Sequence, residues 1–133
     1  MSSVGHQIFL ADLTHTGTVI SSNVFPLGIG LIGATLEESF ESQVDVELFK
    51  FPEDLSVSLD KKTPRLIGFA NYSWNLRLSY EFIKRIKEKH PEVVVVCGGP
   101  NYELSAEGLE AFCWGQKMAS FCCPQRNAFR PPE

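Results

Sequence analysis

Short apolar runs alternate with longer amphipathic stretches along the chain, and their order predicts the fold. Ile8, Phe9, Leu10 and Ala11 form an apolar run before Asp12 and predict a first strand over Gln7 to Leu13. A polar loop rich in Thr and Ser follows from Thr14 to Asn23. Pro26 then opens a helix to about Phe40, since proline suits the first helical position. Val44, Val46 and Leu48 alternate with Asp45, Glu47 and Phe49, which predicts a strand wetter than a central one. Pro52 to Asp60 reads as a polar connection with one helical turn or two. Arg65 to Ala70 predicts a third strand, ending in Asn71-Tyr72-Ser73-Trp74-Asn75.

The clearest element comes next. Leu76, Tyr80, Ile83 and Ile86 recur at helical spacing with Phe82 alongside, while Arg77, Glu81, Lys84 and Glu88 fall opposite. Asn75 stands at its N-cap and Pro91 stops it at His90. Val93 to Cys97 is a continuous run, as in a strand buried on both faces. It ends at Gly98-Gly99-Pro100. A helix is predicted from about Ser105 to Phe112, and Met118 to Cys123 is a candidate fifth strand.

Strands alternating with helices define an α/β fold with a parallel sheet covered on both faces. Right-handed crossovers make it a doubly wound, Rossmann-like sheet. The wetter second strand belongs at an edge, which gives the flavodoxin-like strand order 2-1-3-4, with a fifth strand if the C-terminal segment supplies one. The switch point then falls between the first and third strands. Ligands are expected at the loops Thr14 to Asn23, Asn71 to Asn75 and Gly98 to Tyr102. No linker divides the chain, so residues 1–112 are expected to form one domain. Residues 113–133 form a compositionally odd tail, as from a truncation or a shifted reading frame.

Composition narrows the function. The 133 residues suit one domain, and 44% hydrophobic with 21% charged residues is a globular balance. A formal net charge of -4 argues against a nucleic-acid surface. The basic cluster Lys84, Arg85, Lys87 and Lys89 is interrupted by Glu81 and Glu88 and reads as a solvated helix face. Met1 to Gln7 lacks the pattern of a secretory signal. Val24 to Leu36 is too short to span a bilayer and contains Pro26. The cysteines Cys97, Cys113, Cys122 and Cys123 do not space like a disulfide framework or a zinc site. A cytoplasmic, reduced protein with no membrane contact is the expectation.

Candidate chemistry lies in the strand-end loops. Gly28-Ile29-Gly30-Leu31-Ile32-Gly33 matches a dinucleotide pattern, but it falls inside the helix rather than directly after the first strand. Packing of that helix on the sheet is the simpler reading. Asp12 and His15 point at the crevice: a neutral imidazole is a good transition-metal ligand, and a carboxylate can orient it. A loop histidine bonded within its own loop is the alternative. Gly98-Gly99-Pro100 lets a ligand or a neighbouring backbone approach, or simply makes a tight turn. Asn71, Ser73 and Asn75 offer polar groups to a ligand, although Asn75 also suits a helix cap. Trp74 lines a pocket or packs against the sheet edge, and core packing is the expectation. No nucleophile accompanies His6, His15 or His90, so catalysis by this chain alone is not expected.

Taken together, four segments resemble the N-terminal cobalamin-binding domain of the cobalamin-dependent radical S-adenosylmethionine enzymes. They are Phe25-Pro26-Leu27-Gly28-Ile29-Gly30-Leu31, Val44-Asp45-Val46-Glu47-Leu48, Ile67-Gly68-Phe69-Ala70-Asn71-Tyr72, and Val93-Val94-Val95-Val96-Cys97-Gly98-Gly99-Pro100. The resemblance runs from about Gln7 to Tyr102. It implies a corrin over the strand ends, with its nucleotide tail between the first and third strands and Ser73, Gly98 and Gly99 flanking that tail. Many cobalamin domains carry Asp-x-His-x-x-Gly, whose His ligates cobalt. Asp12, His15 and Gly17 stand here, with the His one place late and the Gly one place early relative to it, and the resemblance implies His15 as the metal ligand.

The cofactor-binding set is therefore Asp12, His15, Gly17, Asn71, Ser73, Gly98 and Gly99. The Cys-x-x-x-Cys-x-x-Cys motif of those enzymes is absent, so no iron–sulfur cluster is expected in this chain. A radical S-adenosylmethionine domain or subunit is the partner that the resemblance implies. The competing functions are a flavodoxin-like flavin or nucleotide module and a ligand-free interaction subunit.

Overall fold

The computed structural model describes residues 5–15, 25–72 and 74–99. Four parallel strands, β1 (His6–Ala11), β2 (Val44–Phe49), β3 (Leu66–Ala70) and β4 (Val94–Gly98), form one sheet in the order β2-β1-β3-β4. Three helices connect them: α1 (Leu27–Phe40), α2 (Pro52–Lys61) and α3 (Leu76–Lys89). This is the flavodoxin-like order expected from the sequence, with β2 at the edge. The segments read as a helix from 105 to 112 and a fifth strand from 118 to 123 lie outside the described residues.

Alternating side chains divide the core into two layers. On one face Phe9, Ala11, Ile67, Phe69, Val95 and Cys97 meet Leu55 of α2 and Ile83 and Ile86 of α3. Phe9 and Phe49 pack edge-to-face with centroids 4.8 Å apart. On the other face Ile8 and Leu10 meet Ile29 of α1, with Leu36, Val44 and Val46 around them. Helices on both faces bury β1 almost completely, which is why its sequence is a run and that of β2 alternates.

The connection after β2 is a longer helix than its polarity suggested. Pro52 sits in the first turn of α2, Glu53 and Asp54 oppose the helix dipole there, and Lys61 does so at the far end. Leu55 and Leu59, four residues apart, give it a single apolar line to the core. In α3 the lysine-rich face is solvated as expected. Lys87 also folds back to donate to the carbonyls of Pro91 and Val93 at the strand entrance.

The glycine run lies wholly within α1, whose N-cap is Pro26. Only Gly33 packs on the sheet, where a Cβ would come 3.3 Å from Leu48 and Val46. Gly30 is closed by the ring of Phe25, and Gly28 faces open space. Helix packing therefore accounts for one of the three glycines. Leu27, Leu31 and Ile32 are exposed, so α1 is apolar on its outer side as well.

Candidate functional site

The C-terminal ends of β1 and β3 lie side by side at the switch point, so the residues after them share one crevice. Asp12, Leu13 and His15 come from the β1 side, Asn71, Tyr72, Trp74 and Asn75 from the β3 side, and Gly98 and Gly99 from β4. The structure thus gathers Asp12, His15, Asn71, Gly98 and Gly99 of the expected set. Gly17 and Ser73 lie outside the described residues.

The two glycines after β4 do different things. Gly99 has φ +127°, and a Cβ there would stand 2.7 Å from the Asn71 carbonyl oxygen. It is the close backbone approach, sealed by a 2.6 Å hydrogen bond from the Asn71 amide to the Gly98 carbonyl. Gly98, in contrast, has nothing within 4 Å of where its Cβ would be. Along the same side of the sheet, Leu66, Gly68 and Ala70 are in register with Val94, Val96 and Gly98, and all six are half-buried. At the strand ends the paired Ala70 and Gly98 make this floor small, whereas Leu10 covers Gly68, and α1 lies over β2 and β1.

Asp12 is anchored through its backbone, donating to the Phe49 carbonyl at 2.9 Å. Burial pushes its carboxyl above the ordinary carboxylate range, and the Lys50 ammonium opposes that shift. His15 is exposed, and its Nε2 lies 2.8 Å from the Trp74 carbonyl oxygen. This bond runs across to the neighbouring loop. A carbonyl only accepts, so this bond puts the proton on Nε2. Among the described residues, no three His, Cys, Asp or Glu side chains group to hold a metal ion.

Trp74 overturns the core-packing expectation. It is 61% exposed and stacks on Tyr72 with centroids 4.5 Å apart and planes 5° from parallel. The buried position of this loop goes instead to its neighbour Asn75, at 0% exposure. Sequence reasoning took Asn75 for a helix cap. It occupies that position, but no side-chain bond to the helix forms. Its carboxamide meets Tyr72, Leu13 and Asp12. A cleft between α2 and α3, lined by Pro52, Leu78, Phe82 and Arg85, includes none of the expected site residues. The strand-end crevice is the better site, since backbone groups and small residues converge there.

A doubly wound sheet with a switch-point crevice beside the unobstructed Gly98 defines a flavodoxin-like ligand-binding domain. A profile of the B12 binding domain matches residues 14–116, and the chain belongs to that family. Cobalamin is the cofactor this membership gives it. Among solved structures, the fold is similar to a cobalamin-binding protein from Desulfitobacterium hafniense DCB-2, with a TM-score of 0.58 and 16% identity. That match covers 89% of this chain and 52% of the other, so the chain spans about half the length of that structure. No curated protein sequence matches the chain. No helix among the described residues is long and apolar enough to cross a membrane.

Proposed function

We propose that this chain is the cobalamin-holding module of a cobalamin-dependent radical S-adenosylmethionine protein, with catalysis carried by another domain or subunit. The observation that carries the cofactor part is the contrast at the end of β4. Gly99 closes on Asn71, while Gly98 leaves open room beside Ala70. A slender ligand tail fits beside Gly98, where no Cβ intrudes. When bound, cobalamin supplies a cobalt ion able to carry an alkyl group.

The chain's own residues then have distinct tasks. Gly98 leaves space for the tail. Gly99 and Asn71 fix the floor, and Asp12 and His15 form the wall on the β1 side. Gly17 and Ser73 belong to the same set by resemblance. For His15 to ligate cobalt through Nε2, its bond to the Trp74 carbonyl has to break and the ring has to lose that proton. The nitrogen hyperfine pattern of the cob(II)alamin form, compared between wild type and His15→Ala, reports whether it does.

What supports a further domain is the outer side of α1. Leu27, Leu31 and Ile32 are each more than half exposed, and a contiguous apolar patch of this kind on the first turns of a helix marks an interaction surface. The resemblance supplies the radical S-adenosylmethionine identity of that domain, and a Cys-x-x-x-Cys-x-x-Cys motif in the flanking coding sequence would support it. The cofactor reading is tested by titrating the purified chain with hydroxocobalamin and desalting. Retained, shifted corrin bands and quenched tryptophan emission are expected. Loss of all cobalamin on desalting defeats the reading.

A further inference from the structure

We infer that Asn75 is a positioning residue that sets the spacing of the two loops flanking the crevice, an inference that rests on the cobalamin reading above. Its carboxamide is fully buried, yet it ignores the helix that it precedes. Nδ2 donates to the Leu13 carbonyl at 3.1 Å and, more weakly, to Asp12 Oδ1 at 3.4 Å. Oδ1 accepts from the Tyr72 amide at 2.9 Å. Both Nδ2 protons therefore go to the β1 loop, and the oxygen goes to the β3 loop.

An asparagine at this position ordinarily caps the helix by accepting from an amide of its first turn. Here α3 forgoes that bond, while the Asn75 backbone still starts the helix by accepting from the Ser79 amide at 2.9 Å. The side chain is thus committed to joining loops 62 and 63 residues apart in sequence. The adjacent bond from His15 to the Trp74 carbonyl runs across the same gap. Two crossing bonds from consecutive residues hold the mouth of the crevice at one width. Pre-ordering of this kind lowers the entropy cost of binding.

A carboxamide is required for chemical reasons. Asp12 is half-buried beside Lys50, and position 75 must present a donor to its carboxylate and to the Leu13 carbonyl. Asn75→Asp keeps the size of the side chain and the acceptor for the Tyr72 amide, but it removes both donors and faces Asp12 with a second carboxylate. Asn75→Ala removes all three bonds. The double variant Asp12→Asn with Asn75→Asp restores a donor–acceptor pair between the two side chains, with the roles exchanged.

The full chain and these variants, with Asp12→Asn as the reference for the double variant, are titrated with hydroxocobalamin. The His15 imidazole resonance is followed in the ligand-free proteins, and urea midpoints are measured alongside. We expect Asn75→Asp to weaken cobalamin binding at least tenfold at pH 7 and to move the His15 resonance. The double variant should recover part of that loss relative to Asn75→Asp. Wild-type affinity in folded Asn75→Asp, or losses that only follow the urea midpoint with His15 unmoved, overturn the inference. If wild type takes no cobalamin, the cofactor reading fails. The His15 resonance in Asn75→Asp then still decides whether Asn75 sets the loops.

Discussion

A Cβ on Gly99 would stand 2.7 Å from the carbonyl oxygen of Asn71, closer than any side chain can sit. The backbone at Gly99 also has φ +127°, which L-residues rarely adopt. Gly99→Ala is therefore expected to lower folding stability by about 1–3 kcal/mol. Gly98→Ala meets nothing within 4 Å and should leave stability within about 0.5 kcal/mol of wild type. Its methyl group would project into the proposed ligand space, so its cobalamin affinity should fall. Urea unfolding and hydroxocobalamin titration of the two variants separate these effects. Equal stability losses would refute the division of labour.

The raised pKa of Asp12 makes a prediction with a definite sign. With the folded value above the unfolded value of 3.8, the protein is relatively more stable when this carboxyl is protonated. That advantage is full below pH 3.8 and is lost as pH rises through the folded pKa. Asp12→Asn keeps an oxygen to accept from Asn75 and removes the cost of charging a half-buried group. Its Tm should exceed that of wild type at pH 7 by on the order of a degree or two. The gap should close in acid. A gap unchanged between pH 7 and pH 3.5 would show that burial of the charge is not its cause.

At the end of α1, Glu41 adopts φ 47° and ψ -122°, the one described non-glycine residue at positive φ. Such a conformation strains a side-chain-bearing residue, and glycine relieves it. Glu41→Gly is expected to raise stability by on the order of 1 kcal/mol, less the entropy that glycine adds to the unfolded chain. An urea midpoint below that of wild type, at the same m-value, would contradict this.

Ser79 is buried on the sheet-facing side of α3, and its hydroxyl has no hydrogen-bond partner among the described residues. Alanine is also the better helix former. Ser79→Ala should therefore be neutral or stabilising by up to about 1 kcal/mol. A loss of stability beyond that size would mean that the hydroxyl is satisfied.

Much of the sheet was legible because burial writes itself into local patterns. The runs at Ile8–Ala11 and Val93–Cys97 marked buried strands, and the alternation at Val44–Phe49 marked the edge, from which the strand order followed. The length of α2 was hidden because one apolar line, Leu55 and Leu59, is enough to hold a solvated helix. At the site, glycines and polar residues after strands were visible as types. Their roles were not. Whether Gly98 or Gly99 meets backbone depends on φ at one residue and on the position of Asn71. Asn75 looked like a cap because its neighbours in sequence allow one, whereas its partners Asp12 and Leu13 are more than 60 residues away. Trp74 was expected in the core, and it stacks on Tyr72 with its ring exposed.

Helix α1 combines three glycines, no capping side chain, a strained exit at Glu41 and only Ile29 and Gly33 fully buried. Each glycine inside a helix weakens it by about 1 kcal/mol relative to alanine. Helix α3 also lacks a side-chain cap bond, but it has no glycine and no strained exit, and it sets Ile83 and Ile86 in the larger core layer. The two helices should thus open at different free energies, and amide deuteration should reach α1 well before α3. A covering domain that seats on Leu27 and Leu31 would slow deuteration of α1 selectively. This labile helix then becomes a built-in gauge of whether its outer face is covered.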